Sequence, residues 1–207
     1  EYLGRKLIDG ARLALADCAP AQMGYAVGQA QNISFIRRFR MRDGSIRTNP
    51  GVNNPDIAAP IGEADTRVNV LRFVREGAGD ILVANFGVHP DTIGGDKISA
   101  DYPRFVRETT ERVLPGVSCL FFNGAEGDVN HVNVHPGGGD GNGLSRMFDD
   151  VDRGYQHAIH MGRVIAGSIL QVYDKVAFTP VDAVLSMQKT IYAPANVPKP
   201  EEVAAAE

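Results

Sequence analysis

Apolar positions along this chain follow two rhythms. Leu3, Leu7, Ala11 and Leu15 recur at helical spacing and predict an opening helix. The runs at 80–89 and 117–123 are instead nearly continuous, rich in β-branched and aromatic residues, and bounded by turn formers: Pro90 after the first, Pro115-Gly116 before the second and Gly124 after it. Both read as buried strands, the first finishing at His89. Between them Phe105, Val106, Thr109, Val113 and Leu114 return to helical spacing, with Tyr102-Pro103 opening the helix and Ser99 or Asp101 available as its cap. Strand, helix, strand is a βαβ unit at about 81–123. Such a crossover joins parallel strands, so both strand ends leave one edge of the sheet, where ligand sites of open α/β sheets lie.

The rest of the chain fits around that unit. Residues 25–41 carry β-type segments and Asp43-Gly44 favours a tight turn, predicting a hairpin near 35–48. Residues 49–62, with prolines, glycines and adjacent asparagines, read as an irregular loop. Val68, Val70 and Phe73 mark a strand that a turn at 76–80 returns antiparallel into the His89 strand. A glycine-rich connection follows at 136–143, then a helix over roughly 153–174 with Ile165, Ile169 and Val172 on one face, then a strand over 181–190. The expected fold is α/β: a mixed, largely buried β-sheet with flanking helices. No internal repeat is visible. Residues 1–207 read as one domain that looks cut from something longer. The chain enters its first helix at once, and Pro198-Lys199-Pro200-Glu201-Glu202 looks like a helix start without a body.

Composition narrows the function classes. With 43% hydrophobic and 22% charged residues the chain is ordinary globular protein. A net charge of -4 provides no cationic field, and the one dense basic cluster is Arg37, Arg38, Arg40 and Arg42, so nucleic acid is not an expected partner. No apolar stretch is long enough for a transmembrane segment, and no secretory signal is visible. Cys18 and Cys119 form no CxxC pair; Cys119, inside an apolar run, reads as a buried thiol.

The residues able to do chemistry gather after the two strands. His89, at a strand end, could bind zinc or act as a base, or could simply bond a loop carbonyl. Asp91, Asp96 and Asp101 follow it; they could orient a ligand histidine or serve as turn and cap residues, the expected role of Asp101. Gly124-Ala125-Glu126-Gly127-Asp128 lacks the pattern of a phosphate-binding loop, so its glycines are expected to let backbone approach a site closely. His131 and His135 fall in a loop and make a weak metal pair; His157 and His160 have surface or partly packed helix positions as their default reading. Ser34 and Ser99 lack the setting of a catalytic serine.

Four patches taken together, Ser34-Phe35-Ile36-Arg37-Arg38 with Asp43-Gly44, Asn85-Phe86-Gly87-Val88-His89-Pro90, Ile98-Ser99-Ala100-Asp101-Tyr102-Pro103 and Asn123-Gly124-Ala125-Glu126-Gly127-Asp128-Val129-Asn130, resemble the catalytic domain of the neutral/alkaline non-lysosomal ceramidase family and its shorter bacterial relatives. The resemblance implies a zinc-dependent hydrolase of an amide bond, on a lipid or other small N-acyl substrate, with zinc-bound water as nucleophile. It implies that His89 is a zinc ligand, that Arg37 contacts the reacting centre, and that Asn130 stands where the family has its catalytic serine, with His131 in place of the following proline. Asn cannot be a nucleophile, although its amide can donate to an oxyanion. Asp128 is then a catalytic-loop residue, and Asp91, Asp101, Gly124, Gly127 and His131 surround the substrate or the ligand. The family's upstream histidine and its downstream glutamate and tyrosine have no counterpart in this chain, so the missing flanking segments would complete the zinc shell. The family also suggests a secreted or periplasmic setting. The alternative is a non-catalytic or differently specific binding member of the same fold.

Overall fold

The computed structural model describes residues 1–135, 153–195 and 197. The described residues form, in chain order, α1 (Tyr2–Ala16), β1 (Ala21–Gln29), β2 (Phe35–Ile36), β3 (Arg38–Met41), β4 (Ile46–Thr48), β5 (Ile57–Pro60), β6 (Arg67–Arg75), β7 (Asp80–Phe86), α2 (Asp101–Val113), β8 (Val117–Asn123), β9 (Val129–Asn130), α3 (Tyr155–Tyr173) and β10 (Ala177–Thr179). The main sheet has the order β10-β1-β6-β7-β8. Only β7 and β8 pair in parallel, with Asp80 beside Val117 and Phe86 beside Asn123; the other neighbours are antiparallel. The sheet is mixed, and the βαβ unit is present.

Side-chain alternation gives the sheet two unlike faces. Val68 and Val70 of β6, Leu82, Ala84 and Phe86 of β7, and Cys119 of β8 point into a core shared with Tyr102 and Val106 of α2 and Met161, Ile165 and Ile169 of α3. Burying each such side chain stabilises by about 1.5–3 kcal/mol. Phe73 has the opposite parity and lies on the other face, with Tyr25, Val27, Leu120 and Phe122, which are substantially exposed. Two glycines set the helix distances: a Cβ at Gly28 would lie 2.8 Å from the Ser168 carbonyl oxygen, and one at Gly162 would lie 2.4 Å from Cβ of Phe105.

Several expectations need adjustment. The predicted hairpin is β3 and β4, turning at Gly44 with φ +83°. The loop at 49–62 contains β5, which pairs with β3. The last strand is β10, earlier than the predicted 181–190, and residues 181–190 adopt no regular element. Pro180 has no N–H to continue the ladder on β1. The helix α1 forms as its periodicity predicts, yet none of its residues is buried. The glycine-rich connection at 136–143 and the helix start at 198–202 lie outside the described residues.

Candidate functional site

The ends of β7 and β8 lie side by side because nothing but glycine fits between them. A Cβ on Gly87 would stand 2.7 Å from the Ala125 carbonyl oxygen, and one on Gly124 would meet Cα and N of Gly87 at 3.2 Å. Gly127 is different: an added Cβ meets nothing within 4 Å. The expectation that the loop glycines permit close approach therefore holds at Gly124 and fails at Gly127, whose contribution is its carbonyl. That oxygen accepts from Arg37 Nη2 at 2.7 Å and Nε at 3.2 Å, while the Asp128 carbonyl accepts from Arg37 N at 2.9 Å. Arg37 follows β2, whose antiparallel pairing sets Phe35 opposite Asn130 and Ile36 opposite Val129. Arg37 and Asp128 thus share one corner of the loop.

His89 lies just past β7, half-buried, and both its backbone N–H (3.3 Å) and its ring Nδ1 (3.1 Å) reach the Val129 carbonyl. A carbonyl oxygen only accepts, so Nδ1 carries the hydrogen and the neutral ring keeps its lone pair on Nε2. A fixed tautomer of this kind is what a ligand imidazole requires. Here the loop-carbonyl reading and the ligand reading of His89 are compatible.

Asn130 is placed very differently. It is 1% exposed, its Nδ2 donates to Asn49 Oδ1 at 3.0 Å, and its Oδ1 accepts from Val132 N at 3.0 Å. Asn49 adopts a left-handed φ of +49°, in the loop that crosses this site. Nothing in the sequence pairs the two residues.

Two acids behind the strand ends do different work. Asp101 is buried, and its carboxylate accepts from Thr92 Oγ1, Ile93 N and Tyr102 N at 2.7–2.9 Å. It begins α2 with a left-handed φ of +50°, while Ser99 Oγ accepts its N–H at 3.0 Å. Asp101 therefore ties the loop after His89 to the helix, but it is the first residue of α2 rather than its cap: the N-cap is Ala100, with no side-chain cap hydrogen bond from Ser99 or Asp101. Tyr102 adds a hydrogen bond from its hydroxyl to the Val88 carbonyl at 2.8 Å, and burial pushes that phenol far above its ordinary pKa. Asp91 accepts from His131 Nδ1 at 2.9 Å. Burial opposes ionisation of Asp91, but the His131 hydrogen bond, with the charges of His131, Arg153 and His89, outweighs it and holds the carboxyl below its ordinary range.

His131 is fully buried, and its Nε2 has no hydrogen-bond partner among the described residues. Its ring lies 5.2 Å from that of His157, which is also buried. His157 is thus more enclosed than the surface or partly packed position expected of it. It occupies the same helix stripe as Met161, Ile165 and Ile169, and that spacing was the signal in the sequence. His160 is half-buried, and desolvation, with the Arg163 charge, lowers its pKa. His135 is exposed, edge-on to Phe39 at 6.4 Å. A groove of about 310 Å³ opens beside the site, lined by Phe35, Ile36, Phe39, Ala64, Val134 and others. No sequence pattern marks it.

Among the described residues no group of three or more His, Cys, Asp or Glu side chains converges as a metal site. His89 fits one position of a zinc shell through its fixed tautomer. The described residues do not complete that shell, since catalytic zinc normally takes three protein ligands.

Searches by sequence found no matching family model and no matching curated protein. Comparison of folds found a neutral ceramidase from Pseudomonas aeruginosa, with a TM-score of 0.51 and 20% identity over 78% of this chain and 24% of that one. It also found a ceramidase complexed with C2, at 0.54 and 20% over 78% of this chain and 23% of that one. The fold is ceramidase-like. The chain spans about a quarter of these ceramidase structures, so the likeness concerns this α/β unit alone. No helix of the described residues is long and apolar enough to cross a membrane.

Proposed function

We propose that this chain carries part of the active site of a ceramidase-like amide hydrolase, with a zinc ion held in part by His89. The observation that carries the reading is the His89 ring: Val129 takes the Nδ1 hydrogen and leaves Nε2 as donor, at the sheet edge where the ceramidase-like strands end. Zinc, when bound, would polarise a carbonyl and bring the pKa of water to about 7.

The chain's own residues supply the frame. Gly87 and Gly124 bring the strand ends together, and Asp101 and Tyr102 hold the backbone on either side of His89. Arg37 fastens the Gly127 carbonyl through Nε and Nη2, which leaves Nη1 as the donor for a developing oxyanion. Asp128 lies beside Arg37 on the catalytic loop. Asn130, the donor that the resemblance would place on the substrate carbonyl, is buried and engaged by Asn49 and Val132, so in this reading it holds the loop and makes no contact with substrate. The substrate class is a lipid or other small N-acyl amide, with further segments supplying the remaining zinc ligands. The test is metal analysis with hydrolysis of acyl-amide, N-acetyl and ester panels, on the protein and on His89→Ala. The reading expects zinc and amide turnover in the protein and loss of both in the variant; zinc content unchanged in His89→Ala would overturn it.

A second reading, a binding member without hydrolysis, is favoured by the burial and double engagement of Asn130. Bound zinc with no turnover on any panel would select it.

A further inference from the structure

We propose that Asp91 and His131 form a positioning pair that fastens the His89 loop to the Asn130 segment. The inference rests on the reading of His89 as a ligand, and it assigns the pair no contact with substrate or metal. Two connections cross between these segments in step: His89 to Val129, and two residues farther along each strand end, Asp91 to His131. The second is charge-assisted, because a carboxylate faces an imidazole N–H, and it is anchored in the interior because His131 is fully buried.

Each partner is itself held from behind. The Asp91 carbonyl accepts from Arg153 Nη1 at 3.1 Å, and the Thr92 carbonyl from Gly154 N at 2.8 Å, so the residues entering α3 back the loop. The His131 ring rests 5.2 Å from the His157 ring on α3. The Asp91 backbone is therefore held on one side and the His131 ring on the other, and the Val129 carbonyl that sets the His89 tautomer lies two residues before His131. His131 stands where the resembling motif has proline after serine. A proline ring offers no N–H to Asp91, so this chain sets its loop with a side-chain bond instead.

The experiment reads the His89 ring nitrogens by long-range nitrogen–proton NMR in metal-free full chain, with zinc affinity by chelator competition and thermal midpoint alongside. Asp91→Ala and His131→Leu should each lose the protonated-Nδ1 signature of His89 and weaken zinc binding about 10- to 100-fold, the range for losing a residue that orients a ligand. The double variant should be no worse than the worse single. Asp91→Asn, which keeps an acceptor oxygen and is the deciding variant if His131→Leu does not fold, should retain the signature. Ile165→Val, in the core of α3 and a member of neither hydrogen-bonded pair, serves as a destabilised control.

A His89 signature preserved in Asp91→Ala and His131→Leu while their midpoints fall as in the control would overturn the inference. The same result for Asp91→Ala alone, with Asp91→Asn unchanged, would overturn it where His131→Leu does not fold. Absence of zinc binding in the unmodified protein would overturn the ligand reading instead, and the His89 signature would still decide the pair.

Discussion

The segments that follow β7 and β8 are tied to each other between His89 and Val129, yet they deliver side chains in opposite states. His89 commits one ring nitrogen to the protein and keeps the other as a donor, half-buried. Asn130 is inside the protein, with its amide oxygen and one amide hydrogen already used. Both positions follow a strand of the βαβ unit, so a common edge does not ensure a common state. What separates them is the partner: a backbone carbonyl orients a side chain, whereas a second side chain and a backbone N–H together absorb it.

Mutations can break this contrast, and the largest effect belongs to the residue behind both ends. Asp101→Ala strands the Thr92 hydroxyl and the N–H groups of Ile93 and Tyr102, and places alanine at a left-handed φ; the expected loss is about 3–5 kcal/mol in denaturant unfolding. Next comes the direct comparison. Asn130→Ala leaves the Asn49 oxygen and the Val132 N–H unpaired in the interior and should cost about 2 kcal/mol. His89→Ala loses a single bond at a half-buried position and should cost about 1 kcal/mol, with its main effect on metal content. Equal stability losses for the two would erase the difference between presented and consumed side chains.

The glycines give a finer contrast. Gly87→Ala forces a Cβ toward the Ala125 carbonyl and should destabilise by about 1–3 kcal/mol, whereas Gly127→Ala should stay within about 0.5 kcal/mol. The smallest expected effect is on pH dependence. The Asp91 carboxyl is depressed in the folded chain, so its contribution is present above its unfolded pKa, ordinarily near 3.8, and is lost as pH falls below that value through the folded one. Urea midpoints from pH 6 to pH 3 should show the protein's margin over Asp91→Asn shrinking only at the acid end.

How much of this could be read in the sequence depended on whether one segment carried its own signal. The runs that became β7 and β8 are nearly continuous in apolar residues, and the helical spacing of Phe105, Val106 and Thr109 falls within α2, so the parallel pair and its edge were legible. Phe39 and Met41 alternate with Arg38 and Arg40, and the former pair is buried while the latter is exposed. The apolar residues over 181–190 suggested a strand, but the actual ladder had already ended at Pro180. Contacts between distant loops left no local mark: neither the Asn49 partner of Asn130 nor the Asp91 partner of His131 follows from any spacing. Exposure was equally hidden, since the leucines of α1 predict a helix correctly but say nothing of whether a surface covers them.

The central claim is that the chain presents His89 through Nε2 while Val129 retains the hydrogen on Nδ1. A zinc titration of the full chain, followed by nitrogen–proton NMR of the His89 ring, tests it directly. The account predicts an Nδ1–H signature before metal and a shift confined to Nε2 as zinc is added; an Nε2–H ring in the metal-free chain, or zinc saturation without any response from His89, would contradict it.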